Sequence, residues 1–468
     1  MLLNDLPNEV LNNICAYVET SSYGQKGDLT SLSRTSRRLH ILIEPRLYSS
    51  LDDKKQGSLL KYLRTLLETP SLRRHVKVYK GCQTTTVRPV PAGGFSTLYS
   101  GRYEIANGAD LTPLFGDNLK AVRKAVDFIT FLAEEKDGDR WLEDIIAGSW
   151  HAVTALVLCL LPNLQSLHLG IMGDRDWPQA TNNLIDPPYY WLKRPLMRAA
   201  KLQQKQISSP LAFEQLTTFS ITRHKGVDLA NIHQAQLMQL LRLNSFRKFV
   251  AHDWYIMFWN TSEKIRLPIV DMELINCILD FEYLLDDDVF FKWFPHLERL
   301  RYEHLDNSKK FHPQMITLLI QSLSRLQLPL RELYLGDTNN WDIVRQIDDD
   351  VLAYASNEVE VESFAALEHL EVLDTTAFDQ WIRFNGNDKL LEPLAAMLPR
   401  SIKKLTLRHA SSATISYVRG LIEKRHAVPE LHTLRISPGQ HFNLDELRAE
   451  LVFLKEEGQR FGINIVIL

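Results

Sequence analysis

A short phrase with apolar residues at its first, fourth and sixth positions returns along the chain after residue 160. It reads Leu-Gln-Ser-Leu-His-Leu at 164–169 and Leu-Arg-Glu-Leu-Tyr-Leu at 330–335. The other occurrences are at 216–221, 297–302, 367–372, 402–407 and 431–436. Because side chains alternate along a strand, the two later apolar residues of each phrase point into one core. Such units bury their apolar rows by stacking on their neighbours, so the phrase predicts a repeat architecture.

Proline and helix-like segments separate these phrases. Proline ends a helix and favours an extended approach to the next strand, and it precedes several phrases, at Pro162, Pro295, Pro329 and Pro429. Helical periodicity occurs at 236–243, 314–326, 391–398 and 415–425. Strand, loop, helix and return predict an α/β fold, in which a curved parallel sheet carries its helices on the outer side.

The repeats are irregular in their length and in the residue type at the position three residues after the phrase. Neighbouring phrases in the second half lie roughly 30 to 40 residues apart, beyond the usual 20–29. Three residues after the phrase a regular repeat has Asn or Cys, and here the residues are Met172, His224, Leu305, Thr338, Thr375, Ala410 and Gly439. We therefore expect no continuous asparagine ladder.

The first fifty residues carry a second signal. Pro7 can open a helix, since its missing N–H has no partner in the first turn. Large apolar residues follow at helical spacing, among them Val10, Leu11, Ile14, Leu29 and Leu32. So short a segment cannot bury all of these side chains within itself, so part of this surface should contact another protein.

The order of these residues resembles the F-box, the helical module that binds the Skp-type adaptor of a cullin ubiquitin ligase. The resemblance covers residues 1–50 and rests on Leu-Pro-Asn-Glu-Val-Leu at 6–11, Asp-Leu at 28–29, Ser-Arg-Arg-Leu at 36–39 and Pro-Arg-Leu-Tyr at 45–48. A polar stretch at 19–27 is longer than the usual connection. Together with the diverged phrases, the chain resembles the leucine-rich-repeat F-box proteins that are found especially in fungi.

This resemblance implies a non-catalytic substrate receptor of a Skp–cullin–F-box ligase, with no cofactor. The F-box would bind the Skp-type adaptor, and through it a cullin-RING ligase, while the repeats hold a protein target for ubiquitination. The expected adaptor-binding residues are Leu6, Pro7, Val10, Leu11, Ile14, Leu29 and Leu32. The alternative is a leucine-rich-repeat interaction scaffold that acts with the adaptor but independently of cullin and degradation.

The predicted domain order is an F-box at 1–50, a connecting helix and first repeat strand at 51–80, and an irregular leucine-rich-repeat domain at 81–468. Within the first connection, Val76 to Tyr79 is the expected strand. Loop insertions are expected near 81–118 and 173–195, which are rich in glycine, proline or aromatic residues, and at the acidic segment 342–362.

Polar residues between the apolar positions should face the open, concave side of the sheet. Arginine and tyrosine are frequent anchors in protein interfaces, so this face is the expected substrate surface, with a basic bias. The candidate substrate-binding residues are Arg299, Arg301, Glu332, Tyr334, Lys404, Arg408 and Arg435. The phrase at 367–372 also puts His369 and Glu371 on this face. A solvated face without a ligand is the alternative interpretation.

The sequence contains no motif that indicates catalysis, a metal or nucleic acid. No phosphate loop, dinucleotide fingerprint, nucleophile elbow or metalloprotease helix is found. The histidines His224, His252 and His304 lack matching carboxylate or cysteine spacing. Acidic runs at 286–288 and 348–350 are typical of charged turns. A formal net charge of -3 gives no sign of a nucleic-acid-binding chain.

Cysteine spacing and hydropathy bear on the compartment. Cys15, Cys82, Cys159 and Cys277 are isolated, which favours a reducing environment. The N-terminus lacks the basic start and apolar core of a signal peptide. No stretch approaches the roughly 20 apolar residues that span a bilayer. We expect an intracellular protein, cytoplasmic or nuclear, without membrane contact.

Overall fold

The computed structural model describes most of the chain in segments. These are residues 6–20, 26–53, 58–81, 118–133, 137–146, 150–171, 190–207, 213–223, 231–233, 241–252, 255–257, 266–279, 289–304, 313–337, 363–376, 394–410, 412–438 and 444–468. The chain divides into two compact units. The first comprises residues 1–228 and 237–246, and the second comprises 229–236 and 247–468.

The first unit begins with a three-helix module. Its helices are α1 (Asn8–Thr20), α2 (Lys26–Ser33) and α3 (Arg37–Leu47). Ser36 caps α3, because its side chain accepts a hydrogen bond from the Leu39 amide at 3.1 Å. The buried core of the module consists of Leu11, Cys15, Leu29, Leu39 and Ile43. Each of the three helices thus contributes at least one buried apolar side chain to the core of the module.

The rest of the first unit combines helices with a parallel sheet. The helices are α4 (Ser58–Glu68), α5 (Leu119–Ala133), α6 (Gly138–Ile146), α7 (Trp150–Cys159) and α8 (Tyr190–Gln204). The strands, in their spatial order, are β1 (Ser50–Asp52), β2 (Val78–Gly81), β3 (Ser166–Ile171) and β4 (Thr218–Arg223). A 3-10 helix, Pro70–His75, leads into β2.

The second unit contains a longer parallel sheet and a small separate one. The small sheet has the order β5 (Asn231–His233), β7 (Tyr255–Met257) and β9 (Ile278–Leu279). The long sheet has the order β6 (Lys248–His252), β8 (Asp271–Ile275), β10 (Arg299–His304), β11 (Glu332–Asp337), β12 (Val372–Thr376), β13 (Lys404–Ala410), β14 (Thr433–Pro438) and β15 (Asn464–Ile467). The helices are α9 (Val289–Lys292), α10 (Pro313–Leu326), α11 (Ser412–Glu423) and α12 (Leu444–Arg460).

One buried side chain from each of these strands lies in a continuous row. In the first unit the strand register aligns Leu51, Tyr79, Leu167 and Phe219. In the long sheet of the second unit it aligns Phe249, Met272, Leu300, Leu333, Leu373, Leu405, Leu434 and Ile465. The predicted stacking of apolar positions is therefore present within each unit, as a leucine-rich repeat would require.

A tight turn precedes most of these strands. In each, the amide of the phrase's first residue donates to the carbonyl three residues earlier. The donor–acceptor pairs are Leu164–Leu161, Leu216–Phe213, Phe246–Leu243, Leu297–Phe294, Leu370–Leu367, Ile402–Pro399 and Leu431–Val428. Four of these turns contain a proline, namely Pro162, Pro295, Pro399 and Pro429, and there the proline-containing segment reverses the chain into the strand rather than merely extending it.

The phrase predicted at 367–372 is wrong by three residues. Val372 pairs with Glu332 and Leu373 with Leu333, so the phrase in the structure runs from Leu370 to Thr375. The reading from Leu367 has apolar residues at all three positions, whereas the observed phrase has the buried Thr375 at its sixth position, so spacing alone favoured the wrong register. Consequently His369 lies in the turn before the strand, and the outward positions belong to Val372 and Asp374.

Other predicted elements can be compared directly. The helices predicted at 314–326 and 415–425 are present as α10 and α11. The described part of 391–398 forms turns instead of a helix. The prediction of a helix at 236–243 falls mostly outside the described residues, as do the insertions at 81–118 and 342–362. Within the predicted insertion 173–195, the described end is helical, because it begins α8.

That end of the insertion belongs to the core of the first unit. The rings of Trp191 on α8 and Trp141 on α6 stack with centroids 5.6 Å apart and an interplanar angle of 5°. Trp191 Nε1 donates to Asp144 Oδ2 at 3.0 Å, and Trp141 Nε1 donates to the Ala152 carbonyl at 3.1 Å. The buried indoles therefore have partners for their N–H groups. None of the helices in the described ranges is both long and apolar enough to cross a membrane.

Truncating the buried row should destabilise the second unit. Leu405→Ala removes a fully buried side chain between Leu373 and Leu434, and we expect a loss of about 2–5 kcal/mol. Urea unfolding followed by circular dichroism measures it. Val452→Ala, at a half-exposed position of α12, is the control and should change stability by less than about 0.5 kcal/mol. Equal effects of the two substitutions would contradict the row.

Candidate functional site

Helix α1 of the three-helix module has two apolar faces. Leu11 and Cys15 point into the module's core, and burial raises the pKa of the Cys15 thiol. Val10, Ile14 and Tyr17 follow the spacing i, i+4 and i+7, so they share a second face. Val10 is 40% exposed and Tyr17 is 74% exposed. The module therefore presents an apolar stripe that its own core does not use.

The predicted adaptor-binding residues fall into three groups in the structure. Leu11 and Leu29 are buried in the core of the module. Leu6 and Leu32 are partly buried and pack against that core. On the surface lie Pro7, which is exposed, Val10 and the half-buried Ile14.

Sequence analysis missed two exposed apolar side chains of the module. Tyr17 lies on the stripe of α1, and Ile41 of α3 is 61% exposed. The helical spacing from Val10 to Ile14 to Tyr17 was the signal for the first. Ile41 had no such signal, because it belongs to the unbroken apolar run Ile41-Leu42-Ile43, whose inward members are not singled out by helical period.

Two arginines of α3 connect this helix to α1. Arg38 donates to Asn8 Oδ1 at 3.0 and 2.6 Å. Arg46 donates to Glu19 Oε2 at 2.8 Å. These contacts connect both ends of α1 to α3, so the stripe on α1 is carried by a braced helix.

Comparison with known protein families identifies this module. Residues 3–46 match the F-box domain. The chain therefore carries an F-box domain, and its matched segment contains all three helices of the module apart from the last residue of α3. F-box domains in general bind Skp-type adaptors, and F-box proteins are generally non-catalytic adaptors. No curated protein matches the chain at a significant level.

The second surface is the outward face of the long sheet in the second unit. Its first outward row alternates in charge across neighbouring strands, in the order Lys248, Asp271, Arg299 and Glu332. Lys248 Nζ lies 3.2 Å from Asp271 Oδ2, and Arg299 Nη1 lies 3.2 Å from the same oxygen. Arg299 also donates to both carboxylate oxygens of Glu332, at 2.8 and 3.0 Å. We call this row the charge ladder.

A second group of ion pairs crosses the strands beside the ladder. Arg408 on β13 donates to both oxygens of Asp374 on β12, at 2.7 and 2.9 Å. Its Nη1 also lies 3.5 Å from Oε1 of Glu303, a carboxylate that is 2% exposed. Arg301 donates to the other oxygen of Glu303 at 2.9 Å. The buried Glu303 is therefore balanced by two guanidinium groups.

Glycine at 336 allows Arg408 to reach that far. Gly336 lies on β11, opposite Glu303 on β10. A Cβ at this position would come within 2.8 Å of Arg408 Nη1 and 3.2 Å of Glu303 Oε1. The missing side chain thus leaves the space through which Arg408 crosses β11 to approach Glu303.

These contacts shift the pKa values of the groups involved. Hydrogen bonds from Arg299 lower the pKa of Glu332. Burial, together with its hydrogen bond to Glu332, raises the pKa of Tyr334 to about 12. Burial alone would lower the pKa of Lys248, but its contacts with Glu273 and Asp271 raise it overall. Both shifts in the charge ladder, at Glu332 and at Lys248, favour the charged form of the group.

The predicted substrate-binding residues divide accordingly. Arg299, Arg301 and Arg408 are engaged by carboxylates of their own sheet. Glu332 and Tyr334 bond to each other at 2.8 Å. Lys404 and Arg435 are exposed and form no ion pair with the residues that the structure describes. The expected basic bias is therefore offset over most of the face by Asp271, Glu273, Glu303, Glu332 and Asp374.

Four of the residues that neutralise or extend this face were missed from the sequence. Lys248, Asp271 and Glu273 belong to β6 and β8, whose phrases have apolar residues at 246, 249 and 251 and at 269, 272 and 274. These phrases use Phe, Ala, Ile and Met together with Leu, so a search centred on leucine passes over them. Asp374 was missed because the phrase at 367–372 was set three residues too early.

The outward face of the first unit is different in chemistry. His168 on β3 lies beside Lys80 on β2, and it contacts the Ser166 hydroxyl at 3.0 Å. Burial and the positive charge of Lys80 both lower the pKa of His168. Within the described segments no group of three His, Cys, Asp or Glu side chains is arranged to hold a metal ion.

The Arg408–Asp374 pair should stabilise the second unit measurably. Asp374→Asn leaves a half-buried guanidinium without its bidentate carboxylate, and we expect a loss of about 1–3 kcal/mol. Lys403→Gln is the matched control, because Lys403 and Glu371 form a more exposed pair at 3.1 Å, for which less than about 1 kcal/mol is expected. Urea unfolding compares them, and equal losses would show that burial adds nothing.

Acid should remove the contribution of Glu332. Its folded-state pKa is lowered, so the stabilisation is complete above the unfolded-state pKa of about 4.3 and is lost as the pH falls through the lowered value. The stability difference between wild type and Glu332→Gln should shrink as the pH falls from 7 to 3. Thermal unfolding at several pH values tests this, and a difference independent of pH would refute it.

Proposed function

We propose that this chain is a substrate-recognition subunit of a Skp–cullin–F-box ubiquitin ligase. The observation that carries the proposal is the F-box match at residues 3–46 on a helical module with an exposed apolar stripe. The F-box binds the Skp-type adaptor, and the strand face of the second unit holds a protein target. The chain itself performs no catalytic step.

The proposed contribution to ubiquitination is proximity. Binding both the adaptor and the target converts an encounter between separate molecules into a reaction within one complex. This requires two independent binding surfaces and no titratable group at a reacting atom. The stripe on α1 and the outward face of the long sheet lie on different units of the chain, which suits two separate partners.

For the adaptor contact, we propose a division of labour among the F-box residues. Val10, Ile14 and Tyr17, with Pro7 at the start of α1, supply apolar surface that becomes buried on binding. Leu11 and Leu29 act from within the core by fixing the positions of α1 and α2. Leu6 and Leu32, which are partly buried against the core, lie between the exposed residues and the buried ones. Burial of each large side chain contributes roughly 1.5–3 kcal/mol at most.

Removing two side chains from the stripe should abolish adaptor binding. We expect the double variant Val10→Ala, Tyr17→Ala to raise the adaptor dissociation constant at least about 100-fold, since about 3 kcal/mol of contact is lost. Alanine preserves the helix, because it has the highest helix propensity. Titration of the purified adaptor by calorimetry measures the change.

The matched control removes two aromatic side chains elsewhere. Phe128 and Phe131 on α5 are exposed, and the double alanine variant at these positions should bind the adaptor as wild type does. If the Val10/Tyr17 variant keeps wild-type affinity while its unfolding curve is unchanged, the assignment of the stripe is wrong.

Recovery of cullin with the adaptor distinguishes the ligase receptor from a scaffold that acts independently of cullin.

A further inference from the structure

Cations on the outward face of the long sheet are of two kinds. Those held by carboxylates of the same sheet are Lys248, Arg299, Arg301 and Arg408. Lys404 on β13 and Arg435 on β14 are exposed and contact no carboxylate among the described residues. A partner that approaches the first kind has to displace an existing ion pair, whereas the second kind is available to an incoming anion.

The strand register brings Lys404 and Arg435 close together. Lys404 pairs with Thr433, and Thr406 pairs with Arg435. The two cations are thus on adjacent strands and two positions apart, which corresponds to about 8 Å between their Cα atoms. The uncharged Thr406, which pairs with Arg435 and follows Lys404 by two residues, lies on the same face.

Among the described residues, the direct register neighbours of the two cations are uncharged, and the nearest effect of a carboxylate on Lys404 is the electrostatic one of Glu332, two strands away. Val372 is the neighbour of Lys404 on β12, and Val466 is the neighbour of Arg435 on β15. Asp374, which neighbours Thr406, is engaged by both donor groups of Arg408. We call Lys404, Thr406 and Arg435 the basic corner.

We propose that the basic corner binds an extended acidic segment of the target through two carboxylates at positions i and i+2. This inference rests on the proposed function, in which the second unit holds the target. In an extended peptide, residues i and i+2 lie on one face about 7 Å apart, which is close to the spacing of the two cations. Each carboxylate then pairs with one cation, and Thr406 supplies a hydroxyl donor.

The geometry favours two carboxylates over one phosphate. Phosphate is bound most strongly by guanidinium groups that converge on it with several donors. Here one guanidinium and one ammonium group lie on separate strands. The other guanidinium on β13, that of Arg408, is held by Asp374 and Glu303. Because both cations are exposed, binding should weaken as the salt concentration rises.

Peptide binding to the full chain, purified with its adaptor, tests the proposal. Three fluorescein-labelled peptides share a glycine–serine background and differ at two alternate positions, which carry glutamate, glutamine or phosphoserine. Fluorescence polarisation at low ionic strength gives the affinities. We expect binding of the glutamate peptide and none of the glutamine peptide. Lys404→Glu with Arg435→Glu should weaken glutamate-peptide binding at least about tenfold.

The control variant carries the same change in charge away from the corner. Lys424→Glu with Lys455→Glu alters two exposed cations outside the sheet face and should bind the glutamate peptide as wild type does. The proposal is overturned if both double variants lose binding equally, if the glutamate peptide does not bind, or if the phosphoserine peptide alone binds.

The outcome is separable from that of the proposed function. Adaptor affinity depends on the F-box stripe, so the Lys404/Arg435 variant should retain it. The Val10/Tyr17 variant should in turn retain peptide binding. Loss of the adaptor contact with intact peptide binding would leave the basic corner standing while removing the ligase assignment.

Discussion

The alignment of one buried side chain per strand is the constraint on which each unit depends. Leu333, Leu373 and Leu405 occupy successive strands of the same row and are each fully buried. A shift of one residue in any strand would turn its apolar side chains outward and its charged ones into the core. Since the strands are parallel, the chain reaches each strand through a separate connecting segment and turn. Burial of the row fixes the register in which each strand then pairs with its neighbour.

The charged face follows from the same register. Once Leu300 and Leu333 are aligned inside, Arg299 and Glu332 are necessarily aligned outside, where their opposite charges stabilise the same pairing. Arg408 extends this across β12 and β11 to the buried Glu303, over the space left by Gly336. Most of the charges on this face therefore pair within the sheet, and fewer of them are left unpaired among the described residues than the composition implies.

The F-box shows a similar separation of roles within a single helix. Leu11 and Cys15 hold α1 against α2 and α3, while Val10, next to Leu11, and Tyr17, two residues after Cys15, are exposed. Bracing by Arg38 and Arg46 keeps this helix in place without using the stripe. The core and the exposed stripe thus use neighbouring residues of α1, which explains why a pattern in the sequence marks the whole helix but does not assign individual side chains to one face.

Spacing along the chain determined much of what was predicted. The apolar phrases indicated parallel strands, the proline segments marked their approaches, and the residues at 6–11 and 36–39 indicated the F-box. These are local patterns with a fixed physical meaning. Tertiary structure was needed for three features. These are the register of Leu370 and Leu373, the strands β6 and β8 with their phenylalanine and methionine phrases, and the pairing of Arg299, Arg301 and Arg408. The register that starts at Leu367 fits the apolar spacing better than the observed one, which has Thr375 at its sixth position. A charge is free or paired according to what lies on a strand some 30 residues away. The stacking of the strands, which no local spacing encodes, decides both.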